Sequence, residues 1–252
     1  MPDTQTGVPG FVPDWHVPPG VKAWQTCRGA VPRPYGGFNL GQHVGDDPAA
    51  VAANRNRLLS IVPAQPVWLT QVHGTRVLEL PQASLEASPE ADAVMTTTPG
   101  TVCAVMTADC LPVLLADRVG RIVGAAHAGW RGLADGVLEA LVHQMTDKVQ
   151  GQASDLLAWL GPAIGPDAFE VGDDVRQAFT TQNPAYSQYF QPGATGKWLA
   201  DLPALAAAKL QALGVNDITR SGLCTYNETD RFYSYRRDNV TGRMATMIWI
   251  AP

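Results

Sequence analysis

Three residues able to bind a metal or attack an electrophile stand at the ends of apolar runs. Cys110 and His127 lie 17 residues apart in TVCAVMTADCLPVLLADRVGRIVGAAHAGWRGLADGVLEAL, residues 101–141, and His73 lies 37 residues before Cys110 in QVHG. Two imidazoles and a thiolate suit Zn²⁺, and three protein ligands leave a fourth position open, as in catalytic zinc sites. Taken singly, each has a plainer role. A lone histidine is commonly a hydrogen-bonded residue of the interior, and a free cysteine is among the most buried residue types. The spacing matches no local zinc finger, so the metal reading rests on all three standing at strand ends. The same residues also fit a metal-free hydrolase, with Cys110 as nucleophile, His127 as its base and Asp109 as the group that orients it.

The elements that must position them are partly legible. Residues 101–107, 111–116 and 121–126 are short apolar, β-branched runs suited to strands buried on both faces. Gly120 permits the turn between the last two. Gly129, Trp130, Arg131 and Gly132 make a corner, and Leu133, Val137, Leu138, Leu141 and Met145 then recur at helical spacing. Residues 66–72 alternate well enough for a strand, with His73-Gly74 turning the chain into a partner strand over 76–80. Residues 21–26 and 156–160 read as further strands. Asp47-Pro48 starts a helix that ends near Ser60, 171–179 is a short helix, and Asp201 caps a helix closed by Gly214. Residues 231–237 and 243–250 read as a hairpin. Residues 1–20 are a proline-bearing extended arm, 35–41 a glycine-rich loop, and 81–91 and 182–198 polar surface excursions. The expected fold is a single compact α/β domain over 21–252, with stacked mixed β-sheets and flanking helices.

Composition narrows the function. Hydrophobic residues make up 46% of the 252 and charged ones 16%, enough for a large core. The net charge of −5 leaves no basic footprint for nucleic acid. No apolar run reaches the roughly 20 residues of a membrane span. The start, MPDTQTGVPGF, has neither the basic residues nor the apolar stretch of a signal peptide. Four cysteines without a CxxC do not make a disulfide framework, which favours a reducing cytoplasmic setting. No obligate protein partner is indicated.

QVHG at 71–74, TADCLP at 107–112, AAHAGWRG at 125–132, LGPAIGP at 160–166 and CTY…FYSYRRD at 224–238 resemble the YfiH family, over about 26–250. Its members have carried laccase-domain or polyphenol oxidase labels, and are described as purine nucleoside phosphorylases with adenosine deaminase activity. The resemblance implies a compact α/β fold of stacked mixed layers and a zinc held by His73, Cys110 and His127. It also implies purine nucleosides (adenosine, inosine, methylthioadenosine) and inorganic phosphate as substrates. Relatives usually read TxRxGGVS near the start, whereas this chain has TCRGAVP at 26–32, which keeps Arg28 but departs from the GGVS that follows. Zinc lowers the pKa of bound water to about 7, which suits attack at C6 of adenine. Asp109 is a candidate proton carrier or histidine partner, with turn capping its plainer role. Phosphorolysis needs a phosphate site, for which Arg28, Asn39, Arg236 and Arg237 are the candidates. Alternation along a strand puts Arg236 and Arg237 on opposite faces, and Arg236 is favoured because Ser234 leaves room beside it. A laccase mechanism does not fit, since a trinuclear copper cluster needs more imidazoles than the five histidines supply. Copper would nonetheless bind the His–Cys–His set, as it outranks zinc in affinity. Family members have also been linked to peptidoglycan editing, which would suit the metal-free hydrolase.

Overall fold

A computed structural model describes residues 7–31, 34–82 and 88–252. The strands are β1 (Gly10–Phe11), β2 (Val21–Thr26), β3 (Val77–Leu80), β4 (Ala93–Thr96), β5 (Val102–Thr107), β6 (Leu111–Asp117) and β7 (Val123–Ala128), then β8 (Leu156–Leu160), β9 (Glu170–Val171), β10 (Phe190–Pro192), β11 (Trp198–Ala200), β12 (Asp217–Arg220) and β13 (Met244–Ile250). The helices are α1 (Pro48–Arg57), α2 (Trp130–Asp135), α3 (Val137–Val149), α4 (Asp173–Thr180), α5 (Leu202–Ala212) and α6 (Tyr235–Asp238).

Two sheets stack face to face within one compact α/β domain. One is a four-stranded antiparallel sheet in the order β1-β2-β13-β5. The other is a six-stranded mixed sheet in the order β12-β8-β6-β7-β4-β3, parallel at both outer pairs. A third, small sheet joins β10, β11 and β9. Period-2 alternation sorts each strand between layers. In β5, Cys103 and Val105 face the six-stranded sheet, while Val102, Ala104 and Met106 face a layer containing Phe38, Leu40 and Leu58. In β6, Leu114 and Ala116 face the four-stranded sheet, and Leu111, Val113 and Leu115 face the helices. Both strands are covered on both sides, which is why their sequences are continuously apolar.

The helix foreseen after the Gly129–Gly132 corner begins at Trp130 and is split. Gly136 takes φ 104°, closes α2 and restarts the chain as α3. Helix α5 has the foreseen caps: the Asp201 side chain accepts from the Ala204 amide at 2.8 Å, and Gly214 takes φ 97°.

Two expected hairpins do not form. Residues 66–72 make only an isolated parallel bridge, Thr70 to Glu90, and β3 pairs in parallel with β4. The amides of Val72, His73 and Gly74 are taken instead by the carboxylate of Asp92. Residues 231–237 are not a strand either. Tyr235–Asp238 is the short helix α6, capped by the Ser234 hydroxyl, and β13 pairs with β2 and β5. The face assignment for Arg236 and Arg237 falls with that strand. In the N-terminal arm, β1 pairs with β2, and Phe11, Trp15 and Val17 pack against the body. Residues 1–6 of the arm, Pro32 and Arg33, and 83–87 of the polar loop lie outside the described residues. No described helix is long and apolar enough to cross a membrane.

Candidate metal centre

Three separate segments deliver the three candidate ligands. His127 is the fifth residue of β7, on the face that Val123 and Ala125 turn toward the other sheet. Cys110 ends the turn between β5 and β6. Its neighbour Asp109 takes φ 93°, a left-handed conformation that only a tight turn demands of a non-glycine residue. His73 also has positive φ, 61°. Its loop is held from two sides. Asp92 binds three successive amides, at 3.1, 3.0 and 2.7 Å. Gln71 clasps both backbone groups of Met106, each at 2.8 Å, on the free edge of β5.

The result is a tight N/N/S cluster. The ligand atoms of His73, Cys110 and His127 lie within 4.8 Å of one another. Cys110 Sγ stands 3.7 Å from His73 Nε2, and the two imidazoles meet edge-on with centroids 4.8 Å apart. A tetrahedral zinc with bonds of about 2.3 Å to sulfur and about 2.1 Å to nitrogen separates such atoms by about 3.6 Å, so the donor set fits the ion. His127 Nδ1 is 2.8 Å from Asp92 Oδ1, which leaves Nε2 as the nitrogen available to a metal. Gly129 makes the approach possible: a Cβ there would lie 2.6 Å from His73 Cδ2 and 3.0 Å from Cys110 Sγ.

Electrostatics set Cys110 apart from the other thiols. Burial pushes Cys27 up to about 11 and raises Cys103 further. Burial acts on Cys110 in the same sense, but the charge of His127 and hydrogen bonds from both histidines outweigh it and hold the thiol well below its usual value. Burial opposes protonation of His127, and Cys110 and Asp92 reverse that. Asp92 is itself held low: burial is outweighed by His127 and the loop amides.

A cavity of about 740 Å³ opens onto the cluster. Its lining includes His73, Cys110, His127, Trp68, Thr107 and Tyr235, together with His43, Arg55 and Arg243. That volume accommodates a nucleoside-sized ligand.

The other sequence candidates go elsewhere. Asp109 does not meet a histidine; its carboxylate accepts from Thr225 and Ser234 hydroxyls and from the Arg236 amide, at 2.7, 3.0 and 2.7 Å. The histidine partner is Asp92. Asn39 is fully buried, and its side-chain amide is spent on Gly41, Asp46 and Arg243. Arg28 donates to the carbonyls of Thr229 and Val31, and Arg236 to that of Glu170. Arg237 is held by the carbonyls of Thr225, Tyr226 and Phe232 and by Asp238. None of these four lines the cavity. Sequence reasoning missed Asp92, Gly129, Arg55 and Arg243. Only Asp92 left a signal, as an acid placed directly before the apolar run of β4.

A family model described as multi-copper polyphenol oxidoreductase laccase matches residues 22–251. The chain belongs to that family, the YfiH group. A protein of Escherichia coli (strain K12) named purine nucleoside phosphorylase YfiH is 51% identical over 245 residues, 95% of this chain and 98% of that one. One from Haemophilus influenzae, named purine nucleoside phosphorylase, is 48% identical over 243 residues, 94% and 97% of the two chains. Among solved structures, a Neisseria meningitidis protein superposes with a TM-score of 0.89 at 44% identity, covering 96% of this chain and 99% of that one. YfiH from Bacillus licheniformis superposes at 0.85 with 29% identity, covering 91% and 92%. The family label speaks of several coppers. Among the described residues, the one three-ligand cluster of histidine, cysteine or acid is His73, Cys110 and His127.

Proposed function

We propose that this protein is a metal-dependent purine nucleoside phosphorylase that also deaminates adenosine, with zinc as the resident ion. The observation that carries the reading is an N/N/S cluster open to a nucleoside-sized cavity that also contains two arginines. The names of close, nearly full-length relatives support it. A divalent ion held by His73, Cys110 and His127 supplies Lewis acidity and a nucleophile at neutral pH.

The chain's own residues do the rest. Asp92 fixes the tautomer of His127 and the loop bearing His73. Trp68 and Tyr235 provide aromatic walls for a purine. In phosphorolysis a phosphate oxygen bonds to C1′ as the C1′–N9 bond breaks, and the electron pair leaves with the base, which takes up a proton. In deamination water's oxygen replaces the C6 amino group and ammonia departs. A charged reactant and a departing base both gain from positive groups in a site sheltered from solvent.

Chromatography of adenosine reaction products tests this. Adenine and ribose 1-phosphate should form only with phosphate present, and inosine should form without it. Inosine alone at every phosphate concentration would remove the phosphorylase half.

One observation favours the metal-free hydrolase as a second reading. Cys110, His127 and Asp92 form a thiol–imidazole–carboxylate array in which the thiol is held low. Asp92, not Asp109, is then the orienting acid. Hydrolysis that persists after metal removal would support it.

A further inference from the structure

Two arginines line the cavity without a carboxylate paired to either among the described residues. Arg55, in the last turn of α1, gives Nε to the Leu40 carbonyl at 2.9 Å and lies over the Trp68 ring at 4.2 Å. Arg243, just before β13, gives Nη1 to the carbonyls of Thr241 and Gly242, both at 3.1 Å, and lies over Tyr235 at 5.8 Å. Both Nη groups of Arg55, and Nε and Nη2 of Arg243, have no partner among the described residues. No carboxylate there forms an ion pair with either. This contrasts with Arg28 and Arg237, whose terminal nitrogens are already bound to backbone carbonyls.

Placing two like charges in one partly buried cavity is unfavourable unless something offsets them. Burial pulls Arg55 down to about 10 and lowers Arg243, and burial with the charges of both arginines lowers His43, another lining residue. Thr107 also lines the cavity, although its own hydroxyl is buried and has no hydrogen-bond partner among the described residues. Two planar forks suit a tetrahedral oxyanion, which accepts several charge-assisted bonds at once.

We infer that Arg55 and Arg243 form the subsite for inorganic phosphate, in the same cavity as His73, Cys110 and His127. The inference rests on the phosphorylase reading for its ligand. It moves the phosphate away from Arg28, Arg236 and Arg237. The same subsite holds the phosphate end of ribose 1-phosphate in the reverse direction.

The test uses binding as well as turnover. Inorganic phosphate is titrated by equilibrium dialysis against metal-quantified protein at fixed ionic strength, with chloride as the balancing anion. Arg55→Lys and Arg243→Lys keep a charged stem but lose the fork, and each should weaken phosphate binding by about tenfold or more. The KM for phosphate should rise in parallel, while metal content and the KM for nucleoside hold. Arg118→Lys, on a surface pair with Asp217, serves as the neutral control. Sulfate should compete with phosphate in the unaltered protein, a readout that needs no variant to fold. Unchanged phosphate binding in both lysine variants overturns the subsite, as does loss in Arg236→Lys instead, or no phosphate binding by the unaltered protein. If binding follows Arg55 and Arg243 but no phosphorolysis occurs, the subsite stands and the phosphorylase reading falls.

Discussion

Asp92 accepts four hydrogen bonds on its carboxylate, three from the amides of the His73 loop and one from His127. It therefore places two ligands of the cluster without touching the third. Replacing it with asparagine keeps the size but turns an amide N–H₂ toward groups that donate. We predict that Asp92→Asn lowers metal affinity by about 10–100-fold, the range for partners that orient metal-ligating histidines. Competition with a chromophoric chelator measures this, and unchanged affinity would show that His127 orients itself. Gly129 acts by absence. An alanine Cβ 2.6 Å from His73 Cδ2 forces the imidazole aside, since the other near atom is the Cys110 sulfur. Gly129→Ala should lose most of its metal while its backbone, at φ −61°, stays unstrained. Retention of full metal would mean the His73 loop can yield.

At the scale of elements, Asp109 ties the β5–β6 turn to the start of α6 through Thr225, Ser234 and the Arg236 amide. This favours a structural use over proton transfer, and the two uses predict different losses. Asp109→Ala leaves two buried hydroxyls and one amide without their acceptor, at about 1–3 kcal/mol for each unsatisfied group. A melting transition lowered by several degrees with metal content kept is the expected outcome. Lost turnover at unchanged stability would restore the proton-carrier role. The same tie explains why residues 231–237 misled the sequence reading. Alternating aromatic residues spell a strand, but an acid 126 residues upstream of Tyr235 captures the amide of Arg236 and the chain coils instead. The 66–72 run misled likewise, because Asp92 takes amides that a hairpin ladder would have used. Runs buried on both faces gave no such trouble: β5, β6 and β7 follow from apolar continuity alone, and α5 from its caps. Cys110 and His127 were legible for the same reason, as polar exceptions at the ends of those runs. Arg55 and Arg243 were not, since residues 188 positions apart meet in one cavity only through the tertiary fold.

Over the whole molecule, the cluster joins the loop before β3, the turn between β5 and β6, and the end of β7, so a bound ion would tie segments of both sheets together. An ion that binds the folded chain alone stabilises it by mass action. Chelation should lower the melting temperature, and restored zinc should raise it again; an unchanged transition would place the metal elsewhere. The sandwich itself depends on the layer between the sheets, where Leu114 and Trp159 are almost wholly buried. Leu114→Ala should destabilise by about 2–5 kcal/mol in denaturant unfolding, leaving the cluster intact in the folded fraction. The most direct measurement takes one sample of the enzyme through metal removal and stepwise return of zinc, reading bound metal by elemental analysis and phosphate-dependent release of adenine together. The metal-centre reading predicts that adenine release follows occupancy up to about one zinc per chain, and that Cys110→Ala shows neither tight metal nor release. Full phosphorolysis by metal-free protein, or an ion fully retained in Cys110→Ala, would contradict it.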